Sequence, residues 1–371
     1  MALSTSFGGV YKGKRVLVTG HTGFKGAWLT TWLLSLGADI CGYSSGYVST
    51  PNAFEAAGLE KRIVHHVKDV RDLEVLRKVV QDFRPDFLFH MAAQALVSRS
   101  YADPLDTITT NTVGTANVLE CLRGVDWPCT AVIITSDKAY ENVEWPWGYR
   151  ETDHLGGRDI YSASKGAAEI IFHGYQQSFF KTVGAVRMAT GRAGNVIGGG
   201  DWAQDRIVAD CIRAWTTGET VQIRSPKATR PWQHVLEPLS GYLRLGQTLA
   251  QDPGLNGEQF NFGPRSEQNR TVVELLVILA DIWGFKAGEA PFAVVANIPF
   301  HEAGLLKLNC DKALLALKWE PTLRLDECMR MTGQWYRRFY RDGAGALELM
   351  QEQLAQYEEL AGERGRIWRD G

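Results

Sequence analysis

The sequence predicts an α/β fold of the Rossmann type, with a doubly wound parallel sheet and a smaller C-terminal substrate-binding lobe. Strand and helix patterns alternate over about the first 190 of the 371 residues, which is typical of a parallel sheet covered on both faces. A glycine turn joins the first strand to the first helix, and beyond Gly194 the chain changes to a glycine-rich loop. The length exceeds what one small core needs, which favours a large nucleotide-binding domain with a smaller partner.

The predicted elements follow the hydrophobic pattern in chain order. Short apolar runs predict buried strands at 14–19, 39–43, 63–67, 86–91, 131–135 and 183–188. Apolar residues at helical spacing predict helices near 26–36, 72–83, 105–123 and 163–180. Further along, the pattern predicts a helix at 207–217, a strand at 259–263 that returns to the sheet, a helix at 271–284, and an amphipathic helix at 345–361 that packs on the body.

The first strand leads into a predicted dinucleotide site. The strand KRVLVT runs directly into GHTGFKG, and an apolar helix follows. Glycines permit the tight turn and close backbone approach, while free N–H groups at the helix start attract a pyrophosphate. The predicted cofactor-binding residues of this loop are Gly20, Thr22, Gly23, Phe24, Lys25 and Gly26. A glycine triplet alone is a weak signal, and a tight turn without a ligand is the alternative; the position between strand and helix favours the site.

The residue that usually recognises the ribose is missing. An Asp or Glu about 20 residues beyond the glycines usually binds the ribose hydroxyls, and an Arg there accommodates a 2′-phosphate. The second predicted strand ends in Gly42, Tyr43, Ser44 and Ser45, which carry no charge. The sequence therefore does not decide between NAD and NADP.

Residues 131–165 carry the most informative group of reactive side chains. The apolar run AVIIT predicts a buried parallel strand whose carboxyl end delivers Ser136, Asp137 and Lys138 to the ligand-binding edge of the sheet. In YSASK, Tyr161 and Lys165 lie one turn apart at the start of the next helix. We expect the ammonium to favour the phenolate, which would lower the pKa of Tyr161 toward neutrality and make it a base for an alcohol proton.

The Tyr–Lys spacing by itself is weak evidence. With 12 tyrosines in the chain, roughly half a match is expected by chance. An ordinary exposed helix pair is the alternative interpretation. The glycine loop, as a second motif, shifts the balance toward an oxidoreductase.

Composition argues against several classes of function. A net charge of -2 gives no electrostatic argument for binding nucleic acid or membranes. The 6 cysteines have no CxxC spacing, so neither a zinc site nor a disulfide framework is indicated. Residues 1–13 lack a basic and apolar leader, and no stretch approaches about 18 uncharged apolar residues. We therefore expect a cytoplasmic protein without a bound metal.

Several longer motifs resemble one enzyme family. The chain is similar to the CDP-glucose 4,6-dehydratases, which are extended short-chain dehydrogenases/reductases, in GHTGFKG, HMAAQ at 90–94, TSDKAYEN at 135–142, YSASK, GNVIGGGDWAQDR at 194–206 and RPWQHVLEPLSGYL at 230–243. The resemblance runs from about Lys14 to about Trp335. The glycine loop and YxxxK are shared across the superfamily, whereas TSDK, ENxEWxWGYRE and GNVIGGGDWA are much narrower. The departures are modest, with Ile160 where many relatives have Pro and Ala139 where Cys is common.

The resemblance implies a reaction and roles within it. NAD is the implied cofactor, and CDP-glucose is the implied substrate, converted to a CDP-4-keto-6-deoxy sugar. Tyr161, with Lys165 and Ser136, would take the proton of the sugar 4-hydroxyl while NAD takes the C4 hydride. Asp137 would protonate the departing 6-hydroxyl as general acid, and the hydride would return to C6. Lys138 stands where relatives acting on dTDP-glucose carry Glu, and it either removes the C5 proton or stabilises the C4 enolate.

Binding residues follow from the same resemblance. The expected cofactor contacts beyond the glycine loop are Asp69, Val70, Ala92, Ala93, Gln94, Thr135, Tyr161 and Lys165. The expected ligands of the substrate diphosphate are Asn195, Arg206 and Arg230. Guanidinium groups suit phosphate oxygens, although a surface salt bridge explains each arginine nearly as well. Asn111 is either structural in its helix or holds an ordered water, His234 is expected to pack, and Trp202 is a candidate sugar or base contact.

The resemblance also implies a domain division and an assembly. Residues 1–193, with a return near 235–265, form the expected NAD-binding Rossmann domain. Residues 194–234 and 266–371 form the expected nucleotide-sugar-binding lobe. Because relatives pair through helices of the sheet domain, a homodimer or homotetramer is expected.

Two other interpretations stay open. The first is a nucleotide-sugar 4-epimerase, a simple reductase or another 4,6-dehydratase on the same scaffold. An epimerase or reductase has no evident task for Asp137 and Lys138. The second is a non-catalytic NAD-binding regulator, which should have lost Tyr161 or Lys165.

Overall fold

A seven-stranded parallel sheet forms the centre of the computed structural model, which describes residues 5–182, 184–223, 226, 228–265, 270–286, 288–295 and 305–370. The strands are β1 (Arg15–Thr19), β2 (Asp39–Ser44), β3 (Val64–Val67), β4 (Phe87–His90), β5 (Cys129–Ile134), β6 (Val186–Ala193), β7 (Val196–Ile197), β8 (Val221–Ile223), β9 (Thr229–Arg230), β10 (Gln233–His234), β11 (Gln259–Phe262), β12 (Arg270–Thr271) and β13 (Phe292–Val294). The order in the main sheet is β11-β6-β5-β4-β1-β2-β3, which is a doubly wound arrangement. The other six strands form three short pairs beside it.

Helices cover both faces of the sheet. They are α1 (Phe24–Ser35), α2 (Ala53–Ala56), α3 (Leu73–Phe83), α4 (Val97–Ala102), α5 (Pro104–Ile108), α6 (Gly114–Arg123), α7 (Ile160–Tyr175), α8 (Ile207–Thr216), α9 (Leu236–Gln251), α10 (Val272–Trp283), α11 (Leu325–Arg337), α12 (Ala346–Glu363) and α13 (Ile367–Asp370). A π-helical turn at Thr109–Val113 joins α5 to α6, so they form one continuous helical segment.

The predicted fold class and the predicted elements are confirmed. The late strand, β11, returns to the sheet beside β6 as expected. No helix was predicted at α9 or α11, and β6 begins at Val186 and continues to Ala193 instead of ending at 188. Small and polar residues such as Thr190 and Gly191 obscure this strand in the sequence, because they break the apolar run on which the prediction depends.

Successive strand residues pack into two separate cores, one on each face of the sheet. In β1, Val16 and Val18 join the core that contains Trp28 and Trp32 of α1, while Leu17 joins the core formed with α3, α6 and α7. Side chains alternate between the faces of a strand, and here both faces are covered. This explains why apolar residues occur at successive positions of β1.

The two ends of the described chain meet in one aromatic cluster. Trp368 stacks on Phe7 with 5.0 Å between ring centroids and on Tyr357 of α12 at 5.7 Å, and it meets Trp32 edge-on at 5.8 Å. The Trp32 indole also donates a hydrogen bond to Glu358 at 2.9 Å. Helix α12 therefore packs on α1 of the body, as its amphipathic pattern predicts.

All 6 cysteines are unpaired, and 5 of them are buried. Within the described ranges, no helix is long and apolar enough to cross a membrane. The same part of the chain contains no cluster of three or more His, Cys, Asp or Glu arranged to hold a metal ion.

Replacing Trp368 with Ala should strongly destabilise the protein, because the indole is buried against three aromatic rings. We expect the free energy of unfolding to fall by about 3–5 kcal/mol, as for other large-to-small core changes. Ile367→Ala, at the exposed neighbour in the same short helix, is the matched control and should cost about 0.5 kcal/mol or less. Urea unfolding followed by circular dichroism measures both, and equal effects would contradict the role of the cluster.

Candidate active site

One cleft of ≈ 920 Å³ lies where the central strands of the sheet end. It is lined by every residue of the predicted catalytic, cofactor-binding and diphosphate-binding sets except Arg230. The side chain of Arg230 lies outside the described residues. Segments far apart in the sequence therefore meet at one site, as expected for the carboxyl edge of a parallel sheet.

The glycine turn leaves no room for side chains at two positions. Gly20 has a left-handed φ of 73°, and a Cβ there would lie 2.6 Å from the backbone nitrogen of Ala92. A Cβ on Gly26 would lie 2.2 Å from the carbonyl oxygen of Gly20. Helix α1 begins at Phe24 and presents its amino-terminal end to the cleft. This geometry fits the pyrophosphate of a dinucleotide.

Hydroxyl groups occupy the end of β2, where an acidic residue is usual. The oxygens of Thr22 and Ser44 are 2.7 Å apart, and Thr22 donates a hydrogen bond to the carbonyl oxygen of Gly46 at 2.5 Å. All three residues line the cleft. The end of β2 therefore lines the cleft with polar groups that carry no charge.

Arg71 also lines the cleft, and the sequence interpretation overlooked it. Its guanidinium pairs with Asp69 at 2.6 Å and with Asp106 at 2.9 Å. Its position directly after Asp69 and Val70, the predicted adenine contacts, could have indicated that Arg71 lies at the site. The pairing was not visible, because Asp106 lies 35 residues away in the chain.

Asn111 fixes the loop that follows β4. Its side-chain oxygen accepts from the Gln94 backbone N–H at 2.8 Å, and its amide donates to the Gln94 carbonyl at 3.1 Å and to Ser164 at 2.9 Å. Of the two interpretations of Asn111, the structural one is supported, since its amide already has protein partners. The contact ties the cofactor side of the cleft to α7.

Contacts with neighbouring residues of the protein hold the side chains of His234 and Trp202 in place. The His234 ring accepts from the Leu236 backbone N–H at 3.4 Å and meets Trp28 edge-on at 5.8 Å, so it packs as expected. The Trp202 indole lines the cleft but donates to the Tyr340 hydroxyl at 2.8 Å. That hydrogen bond fixes the orientation of the Trp202 indole.

The end of β5 holds Asp137 in a defined and buried position. Ser136 donates to one carboxylate oxygen at 2.9 Å, and a Cβ on Gly194 would lie 2.7 Å from the other oxygen. Burial raises the pKa of Asp137, while the charges of Lys138 and Lys25 and the hydrogen bond from Ser136 oppose this. A carboxyl whose pKa is raised retains its proton to a higher pH and can act as a general acid.

Tyr161 and Lys165 lie in the first turns of α7, as predicted. The Asp159 carboxylate caps the helix by accepting from the backbone N–H and the hydroxyl of Ser162, at 2.9 and 2.8 Å. The Lys165 ammonium nitrogen lies 5.9 Å from the centroid of the Tyr161 ring. Both side chains are buried, with the cleft on one side.

The expected lowering of the Tyr161 pKa is wrong for this structure. Burial raises the pKa of Tyr161 and outweighs the lowering effects of Ser136 and of the Arg206 charge. Burial also lowers the pKa of Lys165 to about 8, against the raising effect of Glu169. Removing either group from water penalises its charged form. The one-turn spacing of Tyr161 and Lys165 is visible in the sequence, but the burial that removes both side chains from water is not.

Charged groups gather around the start of α1 and the loop after β6. Burial lowers the pKa of Lys25 to about 8, and the Arg206 charge contributes in the same direction. Burial raises the pKa of Asp201, which the sequence interpretation overlooked within GNVIGGGDWAQDR. Lys25, Asn195 and Arg206 all line the cleft, and the two cations suit an anionic group.

Comparison with known proteins identifies the family of the chain. A model of the GDP-mannose 4,6-dehydratase family matches residues 17–332. The CDP-glucose 4,6-dehydratase of Salmonella typhimurium is 42% identical over 351 residues, covering 94% of this chain and 97% of that protein. The dTDP-glucose 4,6-dehydratase of Haemophilus influenzae is 24% identical over 341 residues, covering 86% of this chain and 97% of that protein.

The fold is shared with solved structures. A dTDP-glucose 4,6-dehydratase from Streptomyces venezuelae, solved with NAD bound, superimposes with a TM-score of 0.75 at 23% identity, covering 88% of this chain and 98% of that one. The 42% identity confirms the resemblance to the CDP-glucose 4,6-dehydratases that the motifs indicate. By the family model and this identity, the chain belongs to the GDP-mannose 4,6-dehydratase family.

Proposed function

We propose that the protein is an NAD-dependent CDP-glucose 4,6-dehydratase, which converts CDP-glucose to CDP-4-keto-6-deoxyglucose and water. The observation that carries the proposal is the buried Asp137 beside Lys138 and the Tyr161–Lys165 pair in one cleft. An epimerase or a simple reductase needs the Tyr–Lys pair but has no task for a buried acid at the end of β5. The preference for cytosine rests on the relative that is 42% identical.

The residues around the glycine turn fit NAD. When bound, NAD accepts a hydride from C4 of the sugar and returns it to C6. The start of α1 and the Lys25 ammonium would hold the pyrophosphate, and Asp69 the adenine. Arg71 is engaged by two carboxylates, which leaves it poorly placed to bind a 2′-phosphate and favours NAD over NADP. Gln94, held by Asn111, would complete the wall of the cleft.

Tyr161 would take the proton of the 4-hydroxyl during oxidation at C4. The hydrogen bond with Ser136 and the charge of Arg206 favour the phenolate, whereas burial opposes it, so we expect proton transfer to accompany hydride departure. Once C4 is a ketone, the C5 proton becomes acidic. Lys138 would then remove that proton or stabilise the enolate, and Asp137 would donate a proton to the departing 6-hydroxyl.

The substrate diphosphate would lie beside the loop after β6. Asn195 and Arg206 line the cleft there, and the Lys25 ammonium adds positive charge. Arg230 is proposed as a further ligand from its motif alone. Residues 194–234 and 266–371 would form the lobe that binds the nucleotide sugar, while residues 1–193, with a return near 235–265, would form the NAD-binding domain.

Incubation with NAD and a panel of CDP-, dTDP-, GDP- and UDP-hexoses tests the proposed function. Mass spectrometry should show loss of one water from CDP-glucose and much less from the other sugars. An unchanged mass with inverted stereochemistry would instead indicate an epimerase. Loss of water from a different nucleotide sugar would retain the dehydratase and correct the base.

We also propose that the protein pairs through α7 and the segment formed by α5 and α6. These helices contact each other and expose large apolar side chains, including Leu105 at 71% and Ile170 at 60% of their surface. Apolar patches of this kind commonly mark protein–protein contacts. Light scattering should show a dimer or a tetramer that Leu105→Asp weakens, and a monomeric wild-type protein would contradict the proposal.

Asp137→Asn should stall the loss of water by about 10²–10⁴-fold, because the amide cannot donate the acidic proton. Oxidation at C4 should persist and appear as reduced-nicotinamide absorbance. Since burial raises the pKa of Asp137, the protonated form is present below that pKa, and the wild-type elimination step should slow as the pH rises through it. Asp82→Asn, at an exposed position on α3, is the control. Unimpaired turnover in Asp137→Asn would exclude the acid role.

Lys138→Met should abolish both turnover and exchange of the C5 proton with solvent deuterium, if Lys138 is the base. Proton exchange measured by mass spectrometry separates the two roles of Lys138. Exchange that continues without turnover would leave stabilisation of the enolate as its task. Lys78→Met, at an exposed position on α3, is the matched control and should change neither measurement.

A further inference from the structure

A buried ion pair lies directly behind the candidate active site. The Arg192 guanidinium donates to both carboxylate oxygens of Glu169, at 2.8 and 2.9 Å, and the two side chains are 2% and 1% exposed. Burial by itself raises the pKa of Glu169, but the Arg192 charge and its hydrogen bonds lower it below its ordinary value. The carboxylate is therefore ionised, and the bidentate geometry fixes its orientation.

Glu169 connects the helix of the Tyr–Lys pair to two strands. It lies one turn beyond Lys165 in α7. It accepts hydrogen bonds from the hydroxyl of Thr135 and, at 3.1 Å, from the hydroxyl of Thr190 in β6. Thr135 directly follows β5 and lies two residues before Asp137. One carboxylate thus holds α7 against the strand end that carries the proposed general acid.

Arg192 extends the connection along β6 and β11. Its guanidinium donates to the Tyr140 hydroxyl at 2.7 Å, and that hydroxyl donates to the Asn261 side chain of β11 at 2.8 Å. Two residues beyond Arg192, Gly194 lies against the Asp137 carboxyl. A shift of Arg192 would therefore displace Gly194 and, with it, the carboxyl of Asp137.

We propose that the Glu169–Arg192 pair is a positioning element, which sets the distance between the Tyr161–Lys165 pair and Asp137. The inference rests on the proposed function, because only a dehydratase uses both sets of groups on one bound sugar. Both charged side chains lie behind the wall of the cleft and not in its lining, so their effect is exerted through other residues. Displacing reacting groups by about 1 Å can cost on the order of 100-fold in rate.

Glu169→Gln tests the role, with Glu237→Gln as the matched control. Glu237 is also a buried acidic side chain, and it accepts from the backbone N–H of Thr322 at 3.0 Å and from the Tyr357 hydroxyl at 2.9 Å. Both variants should unfold at lower temperature than the wild type. At a temperature where both are folded, only Glu169→Gln should lower kcat, by about 100-fold, with KM changed less than about threefold.

Thr190→Val provides a milder test that applies even if Glu169→Gln does not fold. It removes one hydrogen bond to Glu169 and keeps the shape of the side chain. We expect kcat to fall by about fivefold. Thr332→Val is its control, since that buried hydroxyl donates to the Cys328 carbonyl at 2.9 Å within α11.

Two results would overturn the inference alone. One is an equal kcat in folded Glu169→Gln and Glu237→Gln, and the other is an equal kcat in Thr190→Val and Thr332→Val, each alongside an active wild-type protein. A wild-type protein that dehydrates no nucleotide sugar would overturn the proposed function and, with it, this inference.

Discussion

The parallel pairing of β1, β4, β5 and β6 is the constraint on which the candidate site depends. Because parallel strands end at the same edge, the glycine turn, the loop after β4, the Ser136–Lys138 segment and the loop after β6 all open into one cleft. The contact between Gly20 and Ala92 shows how little space separates these segments. Any residue larger than glycine at position 20 would clash with the backbone of Ala92.

Burial determines the chemistry that this edge can support. The cleft withdraws Asp137, Tyr161 and Lys165 from water, and in each case burial favours the neutral form. A neutral Asp137 suits proton donation to a leaving group. A neutral phenol cannot act as a base, so proton abstraction by Tyr161 depends on the groups that lower its pKa, which are Ser136 and Arg206.

Much of the fold was predictable because its signals are local. Strand and helix periods, the glycine turn and the start of α7 each depend on residues within one short segment. Three features were not predictable in this way. The structural role of Asn111, the pairing of Arg71 and the packing of Trp368 on Phe7 all join residues distant in the chain. The predicted direction of the Tyr161 pKa shift was also wrong, because burial of the phenol depends on residues that are distant in the chain.

The amino-acid sequence alone indicates the α/β class, the glycine loop and the candidate catalytic side chains at 136–138, 161 and 165. These follow from residue type and spacing, which the chain carries whether folded or not. The packed fold was needed to show that Glu169 pairs with Arg192 and that Gly194 lies against the Asp137 carboxyl. It also decided that burial outweighs the charge of neighbouring groups at Tyr161. Each of these depends on distance and on exclusion of water, which arise when separate strands and helices pack together.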